Sequence, residues 1–437
     1  MINRIDMSKI LLNIFLLSSL LVGLVTSCGD DNNEDLPEKK RSRTVLIYMC
    51  AENNLGTSFF ANDSTEIVRG AANLPDNVNL LVYADRSSKS IKPFIAKVDK
   101  RGMHVVKQYK ADWYSTDKDN MSEIINWAFT KYPADSYAMT FWGHGNGWIM
   151  MPDKNIAKAK ARRKAYGCDT GKDNPDGGDG NERYINIPEL ADVLSKTHHL
   201  DYIFFDCCQM MCAELAYELR NVCDYIIGSP AEIPGCGAPY DHIISDLFLA
   251  KDNVGKAIID DYIKYTNFSS FPADGLPMSV VKTSNMENLL HATQSAMDTL
   301  MVHYQYPDNL PVYDIIYYGI NSQSANIAIY YDLRHIMRKY LSQNDFNTWD
   351  NTFQQAVVYS VHPKDIKETD LADWLSNELS TSKFRDFTLN DDNYGGLSMF
   401  IPQTYYSNVD SKYLNPNVSI KAYQWNKAID WMKFGWE

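Results

Sequence analysis

The feature that most constrains the fold is a series of short, nearly continuous apolar runs separated by amphipathic stretches. The runs are TVLIYMC (44–50), NLLVYAD (79–85), SYAMTFWGHG (136–145), YIFFDCC (202–208) and YIIGSP (225–230). Runs of this length that are apolar on both faces are typical of parallel strands covered by helices on each side. The sequence therefore predicts an α/β fold with a mainly parallel sheet.

Amphipathic segments between the runs predict the covering helices. Apolar residues recur at three- and four-residue spacing over 122–132, 186–197 and 211–222. The segment 94–109 alternates about a central Arg-Gly turn, which predicts an antiparallel hairpin attached to the sheet. Further along the chain, strands are predicted over 276–284 and 395–402, and helices over 287–302, 328–341 and 346–360.

The N-terminus predicts export and a lipid anchor. Arg4 and Lys9 precede the apolar segment LLNIFLLSSLLVGLV, which is short for a membrane span, so residues 1–27 are expected to be a signal peptide. Val25-Thr26-Ser27-Cys28 resembles a bacterial lipoprotein box, which implies lipidation of Cys28; a plain signal peptide with a chance cysteine is the alternative. The polar residues 28–42 are expected to form a flexible tether. These features favour an outer-membrane or cell-surface location.

Charge and cysteine content exclude some functions. The net charge of -13 argues against a nucleic-acid partner. Seven cysteines remain beyond Cys28, so at least one thiol is expected to be free or paired between chains. A zinc site from Cys207, Cys208, Cys212 and His198 does not match the usual ligand spacings. We expect no cofactor and no metal; calcium is weakly suggested by the Asp- and Gly-rich segment 169–182, which fits no calcium-loop register.

Two residues at predicted strand ends could carry nucleophilic chemistry. His144 ends one apolar run and is followed by Gly145, and the pair Cys207-Cys208 ends another. Ligands of open parallel sheets collect outside the carboxyl ends of the strands, so a thiol and an imidazole there form a plausible nucleophile and base. The N–H groups of Gly145 and Cys208 could form an oxyanion hole. A predicted helix directly after Cys208 would favour its thiolate.

The choice between the two cysteines follows from strand alternation. Asp206 and Cys208 point to one side of a strand and Cys207 to the other. A carboxylate beside a thiol disfavours the thiolate, so Asp206 is better suited to neutralise a cationic substrate side chain, arginine or lysine. We therefore expect Cys208 to be the nucleophile. An inert core cysteine and a structural strand-end histidine are the ordinary alternatives.

Five blocks in order resemble the clostripain family of cysteine peptidases, which have the caspase-type fold of clan CD. They are TVLIYMCAENNLG, NWAFTKYPADSYAMTFWGHGNGW, FFDCCQMMCAELAYELR, YIIGSPAEIPGCGAPYD and GGLSMFIP. In the third block, Asp206 and Cys208 align with the aspartate and cysteine of the family's Asp-x-Cys-x-Met motif, and Cys207 falls on a variable position. Glu52, Asn146 and Gln209 depart from the usual residues of the family.

The resemblance implies cleavage of protein or peptide substrates after arginine or lysine by a Cys208/His144 dyad, with Asp206 at the base of the specificity pocket. It also implies self-activation by cleavage of a loop between the histidine and cysteine strands, expected over 150–184. The basic run 154–164 lies there, and the sequence does not choose among its cationic residues. The candidates are Lys154, Lys158, Lys160, Arg162, Arg163 and Lys164.

The expected architecture is a three-layer α/β/α caspase-like core over residues 43–300 with a C-terminal α+β portion, 301–437, packed on it. Two alternatives belong to other functional classes. A catalytically inactive caspase-like lipoprotein would act as a surface-binding module. A structural envelope lipoprotein would use its cysteines in disulfides.

Overall fold

The computed structural model describes residues 42–87, 91–150, 166–171, 182–268, 275–303, 310, 315–318, 320–321, 327–328, 330–363, 389–404 and 416–431. Its strands are β1 Arg43–Ala51, β2 Asn79–Arg86, β3 Phe94–Asp99, β4 Gly102–Gln108, β5 Ser136–Trp142, β6 Tyr166–Asp169, β7 Arg183–Ile185, β8 Leu200–Asp206, β9 Cys223–Gly228, β10 Met278–Lys282, β11 Ile320–Asn321, β12 Ile327–Ala328, β13 Tyr331–Asp332, β14 Val357–Val361 and β15 Ser398–Met399. Its α-helices are Ser58–Gly70, Lys118–Lys131, Ile187–Ser195, Ala213–Glu218, Tyr240–Ile243, Lys251–Tyr265, Met286–Met301, Leu333–Tyr340, Gln343–Ala356, Pro416–Ser419 and Gln424–Ile429. Shorter 3₁₀ turns span Ala71–Asn73, Asp246–Phe248, Thr283–Asn285 and Ile420–Ala422.

The central sheet has nine strands in the order β14-β10-β9-β8-β5-β1-β2-β3-β4. The five strands from β9 to β2 run parallel to one another, and they are the five apolar runs of the sequence. The outer strands pair antiparallel, including the predicted hairpin β3–β4. The predicted parallel core is therefore confirmed, with antiparallel additions at both edges.

Helices cover both faces of the sheet. Every residue of β1 and β5 is buried, which requires a layer on each side. The helices fall into two groups of mutually contacting members. One group contains Ser58–Gly70, Tyr240–Ile243 and Lys251–Tyr265, and the other contains Lys118–Lys131, Ile187–Ser195, Ala213–Glu218, Met286–Met301, Gln343–Ala356 and Gln424–Ile429. This is the three-layer α/β/α architecture that the sequence predicts.

Two helices begin at positions that the apolar pattern alone did not give. The helix Lys118–Lys131 starts four residues before the predicted Ser122, because the Asp117 side chain accepts hydrogen bonds from the N–H groups of Asp119 and Asn120. The helix Leu333–Tyr340 starts later than the predicted 328, because Asp332 caps it through the N–H of His335. Capping carboxylates, rather than the apolar period, decide these bounds.

The predicted loop 150–184 is not wholly exposed. It contains β6, whose four residues are all buried. The Tyr166 hydroxyl donates to the carbonyl oxygens of Tyr48 and Trp142, at 3.0 and 3.3 Å. The short strand is stabilised by these bonds to the sheet, and its apolar content is too low for the sequence pattern to reveal it. The basic run 154–164 lies outside the described residues.

Residues beyond 300 add to the central fold. Strand β14 pairs antiparallel with β10 at the edge of the main sheet. The Ser398 N–H donates to the Met211 carbonyl at 3.0 Å, so the β15 segment contacts the chain just after Cys208. The division into portions 43–300 and 301–437 stays a prediction. In the described part of the chain, no helix has both the length and the hydrophobicity needed to cross a membrane.

Candidate active site

The register of two central strands brings His144 and Cys208 to the same edge of the sheet. Strands β5 and β8 are parallel neighbours, and their last paired residues are Trp142 and Asp206. His144 and Cys208 each follow that pair by two residues. Residues at equal distances beyond a paired position of two parallel strands lie beside each other, so the chain leaves the sheet at His144 and at Cys208 side by side.

The backbone of the histidine loop lies against the backbone of the cysteine loop. A side chain at Gly145 would place its Cβ 2.6 Å from the Cys208 carbonyl oxygen and 2.8 Å from the Cys207 Cβ. Only glycine fits such an approach. Gly143 has a φ of +139°, which also requires glycine where the chain leaves β5. The glycines around His144 therefore allow the two loops to meet.

The imidazole of His144 is held by the turn that follows β1. Its Nε2 atom lies 2.8 Å from the Asn54 Oδ1 atom. The neighbouring Asn53 fixes this turn, because its amide donates to the carbonyl oxygens of Cys50 and Cys168 at 2.9 and 2.6 Å. Asn54 was not predicted as a functional residue. The signal was present, since two asparagines follow a buried strand that ends at the same edge as β5.

Two further contacts fix the loop that carries His144. The Gly167 N–H of β6 donates to the His144 carbonyl at 2.8 Å. The Tyr330 hydroxyl lies 2.7 Å from both the carbonyl oxygen and the Oδ1 atom of Asn146. Asn146 is one of the departures from the family pattern, and its side chain here gains a tyrosine partner from the second half of the chain.

The environments of the two adjacent thiols differ. The Cys207 side chain is fully buried, its Sγ atom donates to the Phe141 carbonyl at 3.1 Å, and burial raises its pKa well above the ordinary value. Cys208 is partly exposed, and the Ile233 N–H points at its Sγ atom at 3.5 Å. Because a nucleophile must reach its substrate, the exposure of Cys208 makes it the more accessible thiol of the two.

The helix expected directly after Cys208 begins later. It spans only Ala213–Glu218, and Gln209 precedes it with a φ of +61°. The expectation that a helix N-terminus stabilises the Cys208 thiolate is therefore wrong, because the dipole effect is confined to the first turn of a helix. The Gln209 N–H instead donates to the Ala231 carbonyl at 2.8 Å, which joins the cysteine loop to the segment carrying Ile233.

Asp206 lies beneath the segment 234–240. It is 2% exposed and accepts hydrogen bonds from the Ala238 N–H at 3.1 Å, the Tyr240 hydroxyl at 3.0 Å and the Tyr262 hydroxyl at 3.3 Å. Burial raises its pKa to about 6, against the lowering effect of these three donors. The carboxylate is therefore ionised at neutral pH.

A second buried carboxylate accompanies Asp206. Asp63 accepts a hydrogen bond from the Trp142 indole at 2.6 Å, and burial followed by the charge of Asp206 raises its pKa to about 8. A Cβ at Gly237 would lie 2.9 Å from the Asp206 Oδ2 atom and 3.3 Å from the Asp63 Oδ2 atom. The two carboxyl groups thus share one covered acidic site, and Asp63 was not found from the sequence.

The remaining features considered from the sequence are the lipidation and cleavage candidates, the other cysteines and His198. Cys28 and the six basic candidates of the run 154–164 lie outside the described residues. No disulfide joins any of the seven remaining cysteines, all of which the structure describes. His198, considered as a zinc ligand, stacks on the Tyr137 ring with centroids 4.2 Å apart, near the start of β5 rather than its end.

A thiol and an imidazole at adjoining strand ends of an α/β/α sheet are the arrangement of a cysteine peptidase. The chain belongs to the clostripain family of C11 peptidases, which matches residues 47–436. It is accordingly a cysteine-type endopeptidase, a hydrolase with the caspase-like fold.

Individual relatives agree with this membership. The chain is 23% identical to clostripain of Hathewaya histolytica, over 94% of its own length and 86% of the relative's. It is similar to a secreted C11 cysteine protease of Bacteroides thetaiotaomicron solved with an irreversible peptide inhibitor, with 27% identity, a TM-score of 0.69, and coverage of 90% of this chain and 99% of that one. An inactive zymogen C11 protease of Parabacteroides distasonis shares the fold at 24% identity and a TM-score of 0.65, with coverage of 89% and 97%.

Proposed function

We propose that Cys208 and His144 are the catalytic dyad of an endopeptidase that cleaves after arginine or lysine. The observation that carries the proposal is the β5–β8 register, with His144 and Cys208 each two residues beyond the pair Trp142 and Asp206. The close approach of Gly145 to the Cys208 carbonyl supports it. Cys207 is a poor candidate, because its thiol is buried and its pKa is raised.

The chemistry follows from these positions. The Cys208 Sγ atom attacks the scissile carbonyl carbon, and the oxyanion forms beside the N–H groups of Gly145 and Cys208. His144 transfers its proton to the leaving amine as the peptide bond breaks, which leaves a thioester on Cys208. His144 then takes a proton from the water that hydrolyses the thioester. Asn54 is a positioning residue that keeps the ring in place through Nε2.

A fluorogenic peptide assay tests the nucleophile. Cys208→Ala should lower kcat for an arginine peptide by about 10⁴-fold or more, since no other group can form the acyl-enzyme. Cys207→Ala is the matched control, because it removes the adjacent thiol, and it should retain activity. Activity that survives in Cys208→Ala and disappears in Cys207→Ala would reject the assignment.

Asp206 is proposed to determine the preference for a basic side chain. Its carboxylate is ionised at neutral pH and lies two residues from the nucleophile. The segment 234–240 covers Asp206. A substrate cation therefore reaches the carboxylate only when that segment moves, or when the Tyr240 or Tyr262 hydroxyl gives up its hydrogen bond to a carboxylate oxygen. Exchange of a hydroxyl for a guanidinium replaces a hydrogen bond from a neutral donor with an ion pair in which both partners are charged.

The specificity test compares arginine, lysine and norleucine peptides. Asp206→Asn retains the side-chain size and removes the charge, so kcat/KM for the basic peptides should fall about 10- to 150-fold, the equivalent of one charged hydrogen bond. The norleucine peptide should change little. An undiminished preference for arginine in a folded Asp206→Asn variant would show that another group binds the cation.

Self-activation is proposed to occur within the run 154–164. The run lies between His144 and Cys208 in the chain, and it is followed at once by β6, which contacts the His144 backbone. Cleavage after one of its basic residues would free the chain next to the catalytic histidine. The purified protein should therefore yield two fragments with a new N-terminus after Lys154, Lys158, Lys160, Arg162, Arg163 or Lys164, whereas Cys208→Ala should stay intact.

Export and lipid anchoring through Cys28 are proposed from the leader alone. The B. thetaiotaomicron relative is described as secreted, which agrees with export. Cells grown with a labelled fatty acid should label the wild-type chain and not Cys28→Ala. Labelling of both variants would place the lipid elsewhere, and labelling of neither would favour the plain signal peptide.

A further inference from the structure

The helix Ser58–Gly70 carries a second carboxyl group to Asp206, and the chemistry proposed so far does not use it. Asp63 is 1% exposed, and its Oδ2 atom accepts a hydrogen bond from the Trp142 indole at 2.6 Å. Among the described residues, this indole is its one hydrogen-bond donor. Trp142 ends β5, two residues before His144, so Asp63 is fixed to the strand that leads to the proposed catalytic imidazole.

The backbone at Gly237 passes against both carboxyl groups. A Cβ there would lie 2.9 Å from the Asp206 Oδ2 atom and 3.3 Å from the Asp63 Oδ2 atom, so both oxygens face the same point. Gly237 has a φ of +64°, a conformation that glycine adopts without strain. A substrate group that takes the place of this backbone, when the segment 234–240 moves, would therefore contact Asp63 as well as Asp206.

No cation of the described chain neutralises the two carboxyl groups. Arg69, on the same helix as Asp63, pairs with Asp241 at 3.0 Å, and the Arg86 guanidinium lies over an aromatic ring. The other titratable groups around the pair are neutral or acidic. They are Glu66 of the same helix, Cys236 and Tyr240 of the segment above, and Tyr262 of the helix Lys251–Tyr265.

Two buried carboxyl groups without a cation keep a proton at neutral pH. Burial, followed by the charge of Asp206, raises the pKa of Asp63 to about 8. Asp206 has three hydrogen-bond donors, which oppose the effect of burial, and its pKa is about 6. The proton at pH 7 therefore belongs to Asp63, and Asp206 carries the charge.

We infer that Asp63 is a second carboxyl group of the site that binds the basic side chain of the substrate, protonated when the site is empty and ionised when it is filled. On binding, the O–H bond of Asp63 breaks and its proton leaves to solvent. The side chain of the substrate, already a cation, then pairs with the two carboxylates of Asp63 and Asp206. This inference rests on the proposed function, because it takes Asp206 as the residue that binds the cation.

Calorimetry of peptide binding counts the released protons. The full chain with Cys208→Ala, which should bind without cleavage, is titrated at pH 7 with an arginine peptide in buffers of different ionisation enthalpy. Binding should release close to one proton, because a group with a pKa of about 8 is about 90% protonated at pH 7. A norleucine peptide corrects for any proton that His144 exchanges. Asp63→Asn in the same background should lower the release to about 0.1 proton, the part that Asp206 contributes.

The pH dependence of specificity gives a second readout on the active enzyme. The ratio of kcat/KM for arginine and norleucine peptides cancels the titration of the proposed dyad, since both peptides use it. In the wild type this ratio should rise about tenfold from pH 7 to pH 9, as Asp63 loses its proton more easily, and in Asp63→Asn it should stay level. Asparagine retains an acceptor for the Trp142 indole, so the variant should fold.

Glu66→Gln is the matched control. It removes one negative charge from the same helix, one turn after Asp63, and it retains an acceptor for the Tyr240 N–H. The rise of the ratio with pH should therefore persist in this variant. Its loss in Glu66→Gln to the same extent as in Asp63→Asn would show a general effect of charge and would overturn the inference.

Two further outcomes would contradict the role of Asp63. One is a wild-type ratio that stays level from pH 7 to pH 9, together with binding that releases no proton, whatever the variants do. The other is a proton release that persists in Asp63→Asn while Asp206→Asn loses the preference for arginine. An arginine preference that survives in Asp206→Asn would instead contradict the proposed function, and the proton count of Asp63→Asn is measured independently of it.

Discussion

The contact between Asn54 and His144 allows a sharp test of how the imidazole is held. In the reactive ion pair both ring nitrogens carry protons, so Nε2 donates to the Asn54 Oδ1 atom across 2.8 Å. Asn54→Ala removes this acceptor without touching the Asn53 amide, which fixes the turn. The substitution should therefore disturb the orientation and protonation of the imidazole ring and leave the fold intact.

The size of the effect can be estimated from the bond. A hydrogen bond to a charged group contributes about 1.5 to 3 kcal/mol, and water can replace part of it because His144 is partly exposed. With about 1.4 kcal/mol for each factor of ten, the lower half of that range corresponds to a fall in kcat of about 10- to 40-fold. KM for an arginine peptide should hardly change, since Asn54 contacts His144 and is not one of the donors that bond Asp206, the residue proposed to bind the basic side chain.

The pH dependence of kcat separates positioning from a merely structural role. In Asn54→Asp a carboxylate beside Nε2 favours the protonated ring, so the ion pair should persist and activity should extend to higher pH than in the wild type. Asn54→Ala should be slower at every pH. If Asn54→Ala keeps the wild-type kcat, or if Asn54→Asp leaves the pH profile unmoved while its melting temperature falls, the positioning argument is refuted.

Two other predictions concern the residues around the proposed dyad. The folded-state pKa of Asp63 is raised to about 8, so the wild type is most stable below the unfolded pKa and loses that stability as pH rises to 8. Asp63→Asn carries no charge and avoids this loss. The variant should therefore gain stability relative to the wild type, by up to a few kcal/mol, as pH rises from about 4 to about 8. Thermal melts of both proteins from pH 4 to 9 check this, and a constant difference in melting temperature would contradict it. Tyr330→Phe should lower kcat about 3- to 10-fold by releasing the Asn146 loop, the equivalent of one neutral hydrogen bond. Asn146→Gly, which keeps the carbonyl acceptor, should have a smaller effect in the same peptide assay.

The sequence could predict the central strands because a strand buried on both faces is a continuous apolar run. Helical segments between these runs then favour a parallel sheet. It could also predict that His144 and Cys208 are close, since both follow such runs. The antiparallel strand β14 was not predicted: it alternates buried and exposed residues at a sheet edge, and the pattern over 346–360 favoured a helix.

The supporting residues of the site were harder to predict for a different reason. Asn54 comes from the turn after β1 and Asp63 from the helix Ser58–Gly70, and they reach His144 and Asp206 only because β1 inserts next to β5. Long-range sheet order brings these groups together, and a local pattern carries no information about it.

The same sheet order determines what self-cleavage would do to the molecule. A cut within 154–164 separates β1 to β5 from β6 to β15, and the boundary in the main sheet then falls between β5 and β8, the strands that carry His144 and Cys208. Each fragment would hold one member of the proposed dyad, so activity would require that the two fragments stay together.

Contacts across the β5–β8 boundary are extensive. The Arg43 guanidinium pairs with Asp201 at 2.6 Å and donates to the carbonyl oxygens of Leu247 and Leu249, with only 8% of its side chain exposed. Tyr166 bonds the backbone of β1 and β5. Because the boundary also joins two central strands that pair from Ala138 and Tyr202 to Trp142 and Asp206, the fragments should co-elute in gel filtration and separate only in denaturant. Fragments that part in plain buffer, with activity retained in one of them alone, would contradict a dyad shared between the two halves.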